Sequence, residues 1–286
     1  MQHLVLSALL LLQAAEPTTE VRSAVASIVD DSGAAIPDLA REDVALLEDG
    51  VARKLLSVAP DRRPLHLAIL VDSSQPVASD YRLHVVPALT RFLGQLPPGT
   101  LYTLWVTGDR PTKLVEQTDE RARASVALQR VFPQGGNMLL DALMEASKDL
   151  EVPEEGRGAI VVVTGDGVGF TNYDRRLVVE RVGEGNSAVY GVQYDGAVAT
   201  STGGDPTTTR SFDYDYVLDN LSKATGGRRE HVLTAMAVER ALSGVLAELT
   251  GRYRITYETV SGPDRRDLSL EIAHPGAHVR TVQPER

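Results

Sequence analysis

The stretch Leu67-Ala68-Ile69-Leu70-Val71-Asp72-Ser73-Ser74 decides the fold that the sequence predicts. Five apolar residues follow one another without a break and end at a carboxylate and two hydroxyls. A short, continuous apolar run indicates a strand that is buried on both faces, as in a parallel sheet covered by helices on each side. Because ligands of such sheets bind beyond the carboxyl ends of the strands, Asp72 and Ser74 are candidate functional residues.

The same pattern returns downstream, where Ala159-Ile160-Val161-Val162-Val163-Thr164 leads into Gly165-Asp166-Gly167. Segments with apolar residues at helical spacing alternate with further apolar runs at 101–106 and 188–192. Strands that alternate with helices predict βαβ units around a mostly parallel sheet flanked by helices. We therefore expect an α/β, Rossmann-like domain over residues 64–250.

Small β segments are expected on both sides of this domain. Residues 18–60 combine loosely alternating runs with the dipeptide Asp49-Gly50, which is a strong signal for a tight hairpin turn. Residues 251–286 contain two alternating runs, at 253–258 and 268–272, and Gly262-Pro263-Asp264 separates them. We interpret these two runs as an antiparallel hairpin that could pair with the N-terminal strands.

The composition and the first residues limit the kinds of partner that we expect and predict where the protein is located. The 286 residues carry a formal net charge of −10, which argues against nucleic acid as a partner, and they include no cysteine, so thiolate and disulfide chemistry is excluded. The apolar run from Leu4 to Leu12, followed by small residues, predicts a signal peptide over residues 1–15 and export to the periplasm or the outside. Elsewhere no segment approaches the roughly 18 apolar residues of a membrane-spanning helix.

Two of the predicted strands end in acidic residues, Asp72 and Asp166, and a glycine-rich loop that ends in Asn137 lies between them in the sequence. In a doubly wound sheet these segments can converge at one edge. Several oxygen ligands at loop tips suit Mg²⁺. Structural roles are open for the same residues: Asp72 can cap a turn, Asp166 can serve the turn between two glycines, and Asn137 can cap the helix predicted from Met138.

Three segments resemble those of a von Willebrand factor type A domain, namely Asp72-Ser73-Ser74-Gln75-Pro76, Gly135-Gly136-Asn137 and Thr164-Gly165-Asp166-Gly167. In that family a D-x-S-x-S motif, a loop threonine and an aspartate build a metal-ion-dependent adhesion site. Segments at 38–50, 224–227 and 246–257 are similar to a bacterial subfamily of acidobacterial type, whose members are exported proteins with a related domain. The resemblance implies the Rossmann-like fold and a non-catalytic binding function.

By position, the resemblance implies that Asp72, Ser74 and Asp166 are metal ligands. Asn137 takes the place of the threonine, and its amide oxygen could still bind the ion. Pro76 takes the place of the second serine and offers no side-chain oxygen. The implied site is degenerate, and in it Asp72, Ser74, Asn137 and Asp166 hold Mg²⁺ directly or through water.

Two hypotheses for the function follow from these residues. In the first, the bound ion takes a carboxylate from a protein or cell-surface ligand. In the second, a metal-independent assembly protein binds its partner at the same face or through edge strands. We expect no catalysis, because the sequence contains no P-loop, no G-x-G-x-x-G turn, no G-x-S-x-G elbow and no H-E-x-x-H pair.

A segment rich in Ser, Thr, Gly and Asp, at 200–209, is interpreted as a mobile loop. Four tyrosines flank it in the sequence: Tyr190, Tyr194, Tyr214 and Tyr216. Tyrosines beside an adaptable loop can be contact residues for a partner, or they can cover the edge of the sheet. Both roles are open from the sequence.

Overall fold

Strands and helices alternate through the middle of the chain, and strands alone occupy its two ends. The computed structural model describes residues 19–167, 169–196, 212–262 and 267–285. The predicted signal peptide, the segment at 200–209 and most of the turn at 262–264 lie outside these residues. In chain order the strands are β1 (Thr19–Val29), β2 (Val44–Glu48), β3 (Val51–Ala52), β4 (Lys54–Pro60), β5 (Leu65–Val71), β6 (Leu101–Val106), β7 (Thr112–Thr118), β8 (Arg157–Gly165), β9 (Ser187–Tyr194), β10 (Arg229–Val232), β11 (Arg252–Val260), β12 (Leu268–Ile272) and β13 (His278–Pro284).

The helices lie between β5 and β11. They are α1 (Val86–Gln95), α2 (Arg121–Arg130), α3 (Leu139–Asp149), α4 (Arg175–Gly183), α5 (Phe212–Thr225) and α6 (Val238–Thr250). Short helical turns from Gln75 to Val85 precede α1. Among the described residues, no helix combines the length and the apolar character that a membrane span needs.

The strand β5, predicted from the unbroken apolar run, lies in the middle of a sheet with the order β10-β9-β8-β5-β6-β7. Neighbouring strands in this sheet are parallel, except that β7 is antiparallel to β6. Leu67, Ile69 and Val71 pack against one layer of helices, and Ala68 and Leu70 pack against the other. Because both faces of β5 are buried, the run shows no polar alternation. The predicted α/β fold with a mostly parallel central sheet is confirmed.

The polar loops of this domain gather along one edge of the sheet. α1, α2 and α6 cover one face of the sheet, and α3, α4 and α5 cover the other. Each parallel strand enters its connection at its carboxyl end, so the loops that follow β5, β6, β8, β9 and β10 meet there. We call this region the carboxyl edge, and it consists of residues 72–77, 107–111, 131–138, 166–167, 169–174, 195–196 and 233–237.

Strands from the two ends of the chain pair with each other. β1 is antiparallel to β11, with a register that runs from Thr19 opposite Val260 to Ser27 opposite Arg252. One sheet has the order β13-β1-β11-β4, and a second has the order β12-β2-β3. The apolar residues of the two sheets share one core. We call these two sheets the β unit, which consists of β1–β4 and β11–β13. In the chain, the α/β domain lies between β4 and β11 of this unit.

The hairpin expected between 253–258 and 268–272 is wrong, because β11 and β12 lie in different sheets. β11 has β1 on one side and β4 on the other, so neither of its edges is left for β12. β12 instead pairs with β2, from Leu268 opposite Glu48 to Ile272 opposite Val44. The tight turn at Asp49-Gly50 is present between β2 and β3, and both of its residues have positive φ, as such hairpin turns require.

Candidate functional site

Asp72 is the first residue after β5, and its carboxylate is buried at the carboxyl edge. Its backbone N–H donates to the carbonyl of Val163 at 2.8 Å, which fixes it between β5 and β8. The Oδ1 atom accepts a hydrogen bond from the backbone N–H of Ser74 at 2.8 Å, and the side chain of Ser74 also bonds to this carboxylate. One carboxylate oxygen is thereby satisfied within its own loop.

The second oxygen of Asp72 is held by residues from two other loops. Oδ2 accepts hydrogen bonds from Nδ2 of Asn137 at 2.9 Å, from the backbone N–H of Gly165 at 3.1 Å and from Oγ1 of Thr164 at 3.2 Å. Burial raises the pKa of Asp72, and the hydrogen bonds from Ser74, Gly165 and Thr164 oppose that rise. The chain itself therefore supplies hydrogen-bond donors to both carboxylate oxygens.

The side-chain amide of Asn137 connects the ends of three strands, β5, β6 and β8. Its Nδ2 atom donates to Asp72 and, at 3.0 Å, to Oγ1 of Thr164, while its Oδ1 atom accepts from Oγ1 of Thr107 at 2.6 Å. The backbone carbonyl of Asn137 accepts a hydrogen bond from the hydroxyl of Tyr214 at 2.7 Å. The side chain is therefore not a cap for α3, which begins at Leu139 without a side-chain cap. The opposite orientation of the amide would set two acceptors, Oδ1 and the oxygen of Asp72, 2.9 Å apart with no hydrogen between them.

These contacts test how well the predicted magnesium ligands fit an ion. Asp72, Ser74 and Asn137 lie together in one network, but the atom of Asn137 that faces Asp72 is a donor nitrogen, which repels a cation. Pro76 packs beside Gly167 and brings no oxygen from its side chain. In this arrangement the Asp72 network does not fit a metal ion, and magnesium binding there stays a prediction.

Asp166 belongs to a second group of side chains at the same edge. Its Oδ1 atom accepts from Nε2 of Gln193 at 2.5 Å, and its Oδ2 atom lies 3.5 Å from Nε2 of His231. That same nitrogen lies 2.9 Å from Oδ1 of Asp195. Burial raises the pKa of Asp166, and a hydrogen bond shared with the side chain of Asp195 raises it further. The hydrogen bond from Gln193 and the nearby imidazole of His231 lower it. Asp166 is therefore more than a turn residue.

Asp195 was not among the predicted site residues, although the sequence indicates its position. Asp195 follows the end of β9 and precedes a glycine, as Asp166 follows the end of β8 and precedes Gly167. His231 carries no comparable signal, because it lies within the short strand β10 and approaches Asp195 only through the order β8-β9-β10 of the sheet. Ligand atoms of Asp166, Asp195 and His231 all lie within 4.8 Å of one another, so this group could hold a metal ion.

Large apolar side chains are exposed around this edge. We call these the apolar rim, and they are Phe132, Phe170, Phe212, Leu233 and Met236. The chain has four phenylalanines, of which Phe92 is 2% exposed, whereas Phe132, Phe170 and Phe212 are 76%, 56% and 61% exposed. The rim therefore presents aromatic surface that packs into neither helical layer.

The flanking tyrosines do not form this surface. Tyr190, Tyr194 and Tyr214 are buried, and Tyr216 is partly buried against the cluster that α3, α4 and α5 form with the sheet. Neither predicted role describes Tyr190 and Tyr194, which belong to the inner strand β9 and pack in the core, whereas Tyr214 and Tyr216 lie on α5 and pack against the sheet. Asp141, in the first turn of α3, accepts a hydrogen bond from Nδ2 of Asn172 at 2.7 Å and so ties the loop after β8 to α3.

Solved structures resemble this chain in fold at low sequence identity. No protein-family model and no curated protein matches the sequence. Proximal thread matrix protein 1 from the mussel byssus, solved with a zinc-occupied MIDAS motif, aligns at 14% identity and a TM-score of 0.53 over 72% of this chain and 50% of that chain. A von Willebrand factor type A protein from Catenulispora acidiphila aligns at 12% identity and a TM-score of 0.50 over 96% of this chain and 74% of that chain.

The chain spans about half the length of the mussel protein. Identities this low show the fold alone. The central domain has the fold of von Willebrand factor type A domains, with its mixed sheet, its two helical layers and its polar loops at one edge.

Proposed function

We propose that this chain is an exported, non-catalytic module that binds a partner protein on the apolar rim of the carboxyl edge. We also propose that the chain belongs to the exported bacterial subfamily that it resembles, and that residues 1–15 are removed as a signal peptide. Binding uses shape, apolar contact and hydrogen bonds, and it does not require an ion on Asp72.

The observation that carries this proposal is the exposure of Phe132, Phe170 and Phe212 around one edge of the sheet. Aromatic side chains are enriched in the centres of protein interfaces. Fully burying a phenylalanine side chain contributes about 1.5–3 kcal/mol, so burying the exposed part of three rings favours association. Phe170 also rests over Gly136, where a Cβ atom would lie 2.2 Å from its ring, so this rim residue is seated on the loop that carries Asn137.

The hydrogen bonds of Asp72 support the metal-independent form of binding. An adhesion site of the metal-dependent kind needs a cation that the Asp72 carboxylate shares with a carboxylate of the partner. Here the amide nitrogen of Asn137 lies against that carboxylate, at the distance of a hydrogen bond. The two forms differ in one observable, since only the metal-dependent complex dissociates when a chelator is added.

The test compares partner capture by three immobilised proteins: the mature chain, a variant with Phe132→Ser, Phe170→Ser and Phe212→Ser, and a control with Val21→Ser and Val51→Ser. The two valines of the control are exposed on β1 and β3, which are not part of the carboxyl edge. Captured proteins are quantified by mass spectrometry, with and without chelator. We expect partners that the mature chain and the control retain in chelator and that the triple variant loses.

Exposed substitutions change stability little, so the three proteins should unfold at similar temperatures, and this comparison separates lost binding from lost folding. Equal capture by the triple variant and the mature chain would contradict the apolar rim as the binding face. Loss of the partners in chelator would favour the metal-dependent form instead.

A further inference from the structure

The group formed by Asp166, Asp195 and His231 is built from the ends of three adjacent parallel strands. The backbone N–H of Asp166 donates to the carbonyl of Tyr194 at 2.8 Å, and that of Asp195 donates to the carbonyl of Val232 at 3.2 Å. These bonds fix β8, β9 and β10 relative to one another at the carboxyl edge. The three side chains are therefore presented from a rigid frame rather than from separate loops.

A buried chain of hydrogen bonds orients Asp166 toward this group. Gln193 is fully buried, and its Oε1 atom accepts from the guanidinium of Arg229 at 2.8 and 3.1 Å. Its Nε2 atom donates to Oδ1 of Asp166. Metal-binding carboxylates are commonly oriented in this way, with one oxygen held by a neighbour and the other directed at the ion.

The remaining oxygen of Asp166 points into the group. The side chain of Asp166 is 8% exposed, and among the described residues no backbone N–H donates to its Oδ2 atom, which faces the imidazole of His231 and the carboxylate of Asp195. Two carboxylates that face each other repel unless a proton or a cation lies between them. In the metal-free chain Asp166 and Asp195 share a hydrogen bond, so a proton lies between them, and the imidazole of His231 lies beside both. A bound divalent cation would take the place of that proton.

The donor set selects the kind of cation. One imidazole nitrogen with two carboxylate oxygens suits Zn²⁺ and similar transition metals, whereas Mg²⁺ prefers oxygen ligands and retained water. His231 and Asp195 are 24% and 29% exposed in their side chains, so the group is open to an ion and to water from outside. Three protein ligands leave a fourth position free.

We propose that Asp166, Asp195 and His231 form a site for a divalent transition-metal ion such as Zn²⁺, separate from the Asp72 network. The ion is bound by Oδ2 of Asp166, a carboxylate oxygen of Asp195 and Nε2 of His231, with water in the open position. This site does not depend on binding at the apolar rim, because its ligands are not rim residues.

The experiment measures Zn²⁺ binding to the metal-free full chain by isothermal titration calorimetry. Co²⁺ serves as a second probe, because its visible absorption reports the number and kind of its ligands. The variants are Asp195→Asn and His231→Gln, whose side chains are partly exposed. The matched control is His278→Gln, because His278 forms a similar pair with Asp31 on the β unit, at 2.6 Å.

We expect one Zn²⁺ per chain, with affinity reduced at least tenfold in Asp195→Asn and in His231→Gln and unchanged in His278→Gln. The absorption of bound Co²⁺ should disappear in the same two variants. Absence of Zn²⁺ binding by the full chain would overturn the proposal, as would equal affinity in all four proteins. Loss in His278→Gln alone would place the ion on the β unit and overturn it as well.

Discussion

The amide nitrogen of Asn137 lies 2.9 Å from Oδ2 of Asp72 and donates a hydrogen bond to it. Both residues are buried, and Thr107 and Thr164 hold the amide in this orientation from the ends of two other strands. The amide therefore occupies the direction from which a cation would approach this carboxylate. Asp72 is in this way a structural centre of the carboxyl edge, held by hydrogen bonds that the chain itself supplies.

The first prediction concerns the replacement of that amide. In Asn137→Ala the carboxylate loses one donor, and we expect the free energy of unfolding to fall by about 1–3 kcal/mol. In Asn137→Asp two carboxylates face each other in a buried place, and we expect a larger loss, of about 3–5 kcal/mol, at neutral pH. Millimolar Mg²⁺ or Ca²⁺ should recover stability in Asn137→Asp, because the variant needs a cation at this point. Urea unfolding with and without the ions measures both effects.

The unmodified chain and Asn137→Ala are the controls for this ion effect. Neither should gain stability from the ions, since neither places a second carboxylate against Asp72. An equal gain in the unmodified chain would contradict the view that the amide replaces the cation, and it would support magnesium on the residues first predicted to bind it.

The position of Asp72 could be predicted, but the surroundings of its carboxylate could not. An apolar run that ends in a carboxylate locates Asp72 at the end of a buried strand, because a strand that is buried on both faces has apolar residues at consecutive positions. The direction of the Asn137 amide depends on Thr107, just after β6, and on Thr164, near the end of β8, and both lie far from Asp72 in the sequence. Motif spacing carries no information about such a network.

The partners of Asp166 and of β11 show the same limit. Asp195 and His231 approach Asp166 because β8, β9 and β10 are neighbours in the sheet, and that order is a property of the whole fold. The alternating pattern of β11 correctly indicates a strand, but it does not say which strands lie beside it. Local pattern therefore predicts the elements, and pairing between distant elements requires the structure.

The second prediction compares two buried tyrosine hydroxyls. The hydroxyl of Tyr253 donates to the carbonyl of Ile36 at 2.7 Å and accepts from the N–H of Leu39 at 3.1 Å, so it joins β11 to the segment after β1. In Tyr253→Phe these two buried backbone groups lose their partner, and we expect a loss of about 1–3 kcal/mol in the free energy of unfolding. Denaturant unfolding at neutral pH is the measurement.

Tyr190 provides the matched control for that prediction. Its hydroxyl is buried in the core of the α/β domain without a hydrogen-bond partner among the described residues. Tyr190→Phe removes an unsatisfied polar group, so stability should stay unchanged or rise. Equal losses in the two variants would show that ring packing, rather than the two hydrogen bonds, accounts for the effect of Tyr253→Phe.

The third prediction concerns the junction between the β unit and the α/β domain. Asp61, between β4 and β5, forms a two-point ion pair with Arg63, with both N–O distances at 2.8 Å. Burial alone would raise the pKa of Asp61, but the hydrogen bonds and the charge of Arg63, with Arg157 nearby, bring it below its ordinary value of 3.8. A lowered pKa in the folded state means that the ion pair stabilises the fold above about pH 4 and that this contribution is lost as the pH falls through the folded pKa.

Asp61→Asn should therefore lower stability at pH 7 and flatten its acid dependence. The unfolding free energies of the variant and of the unmodified chain should differ most near neutral pH and converge below about pH 4, where the unfolded state of the unmodified chain binds the proton that the folded state resists. Urea unfolding at a series of pH values from about 3 to 7 gives both curves. Two curves that stay parallel throughout would show that Arg63 does not lower the pKa of Asp61 and that the ion pair does not stabilise the junction.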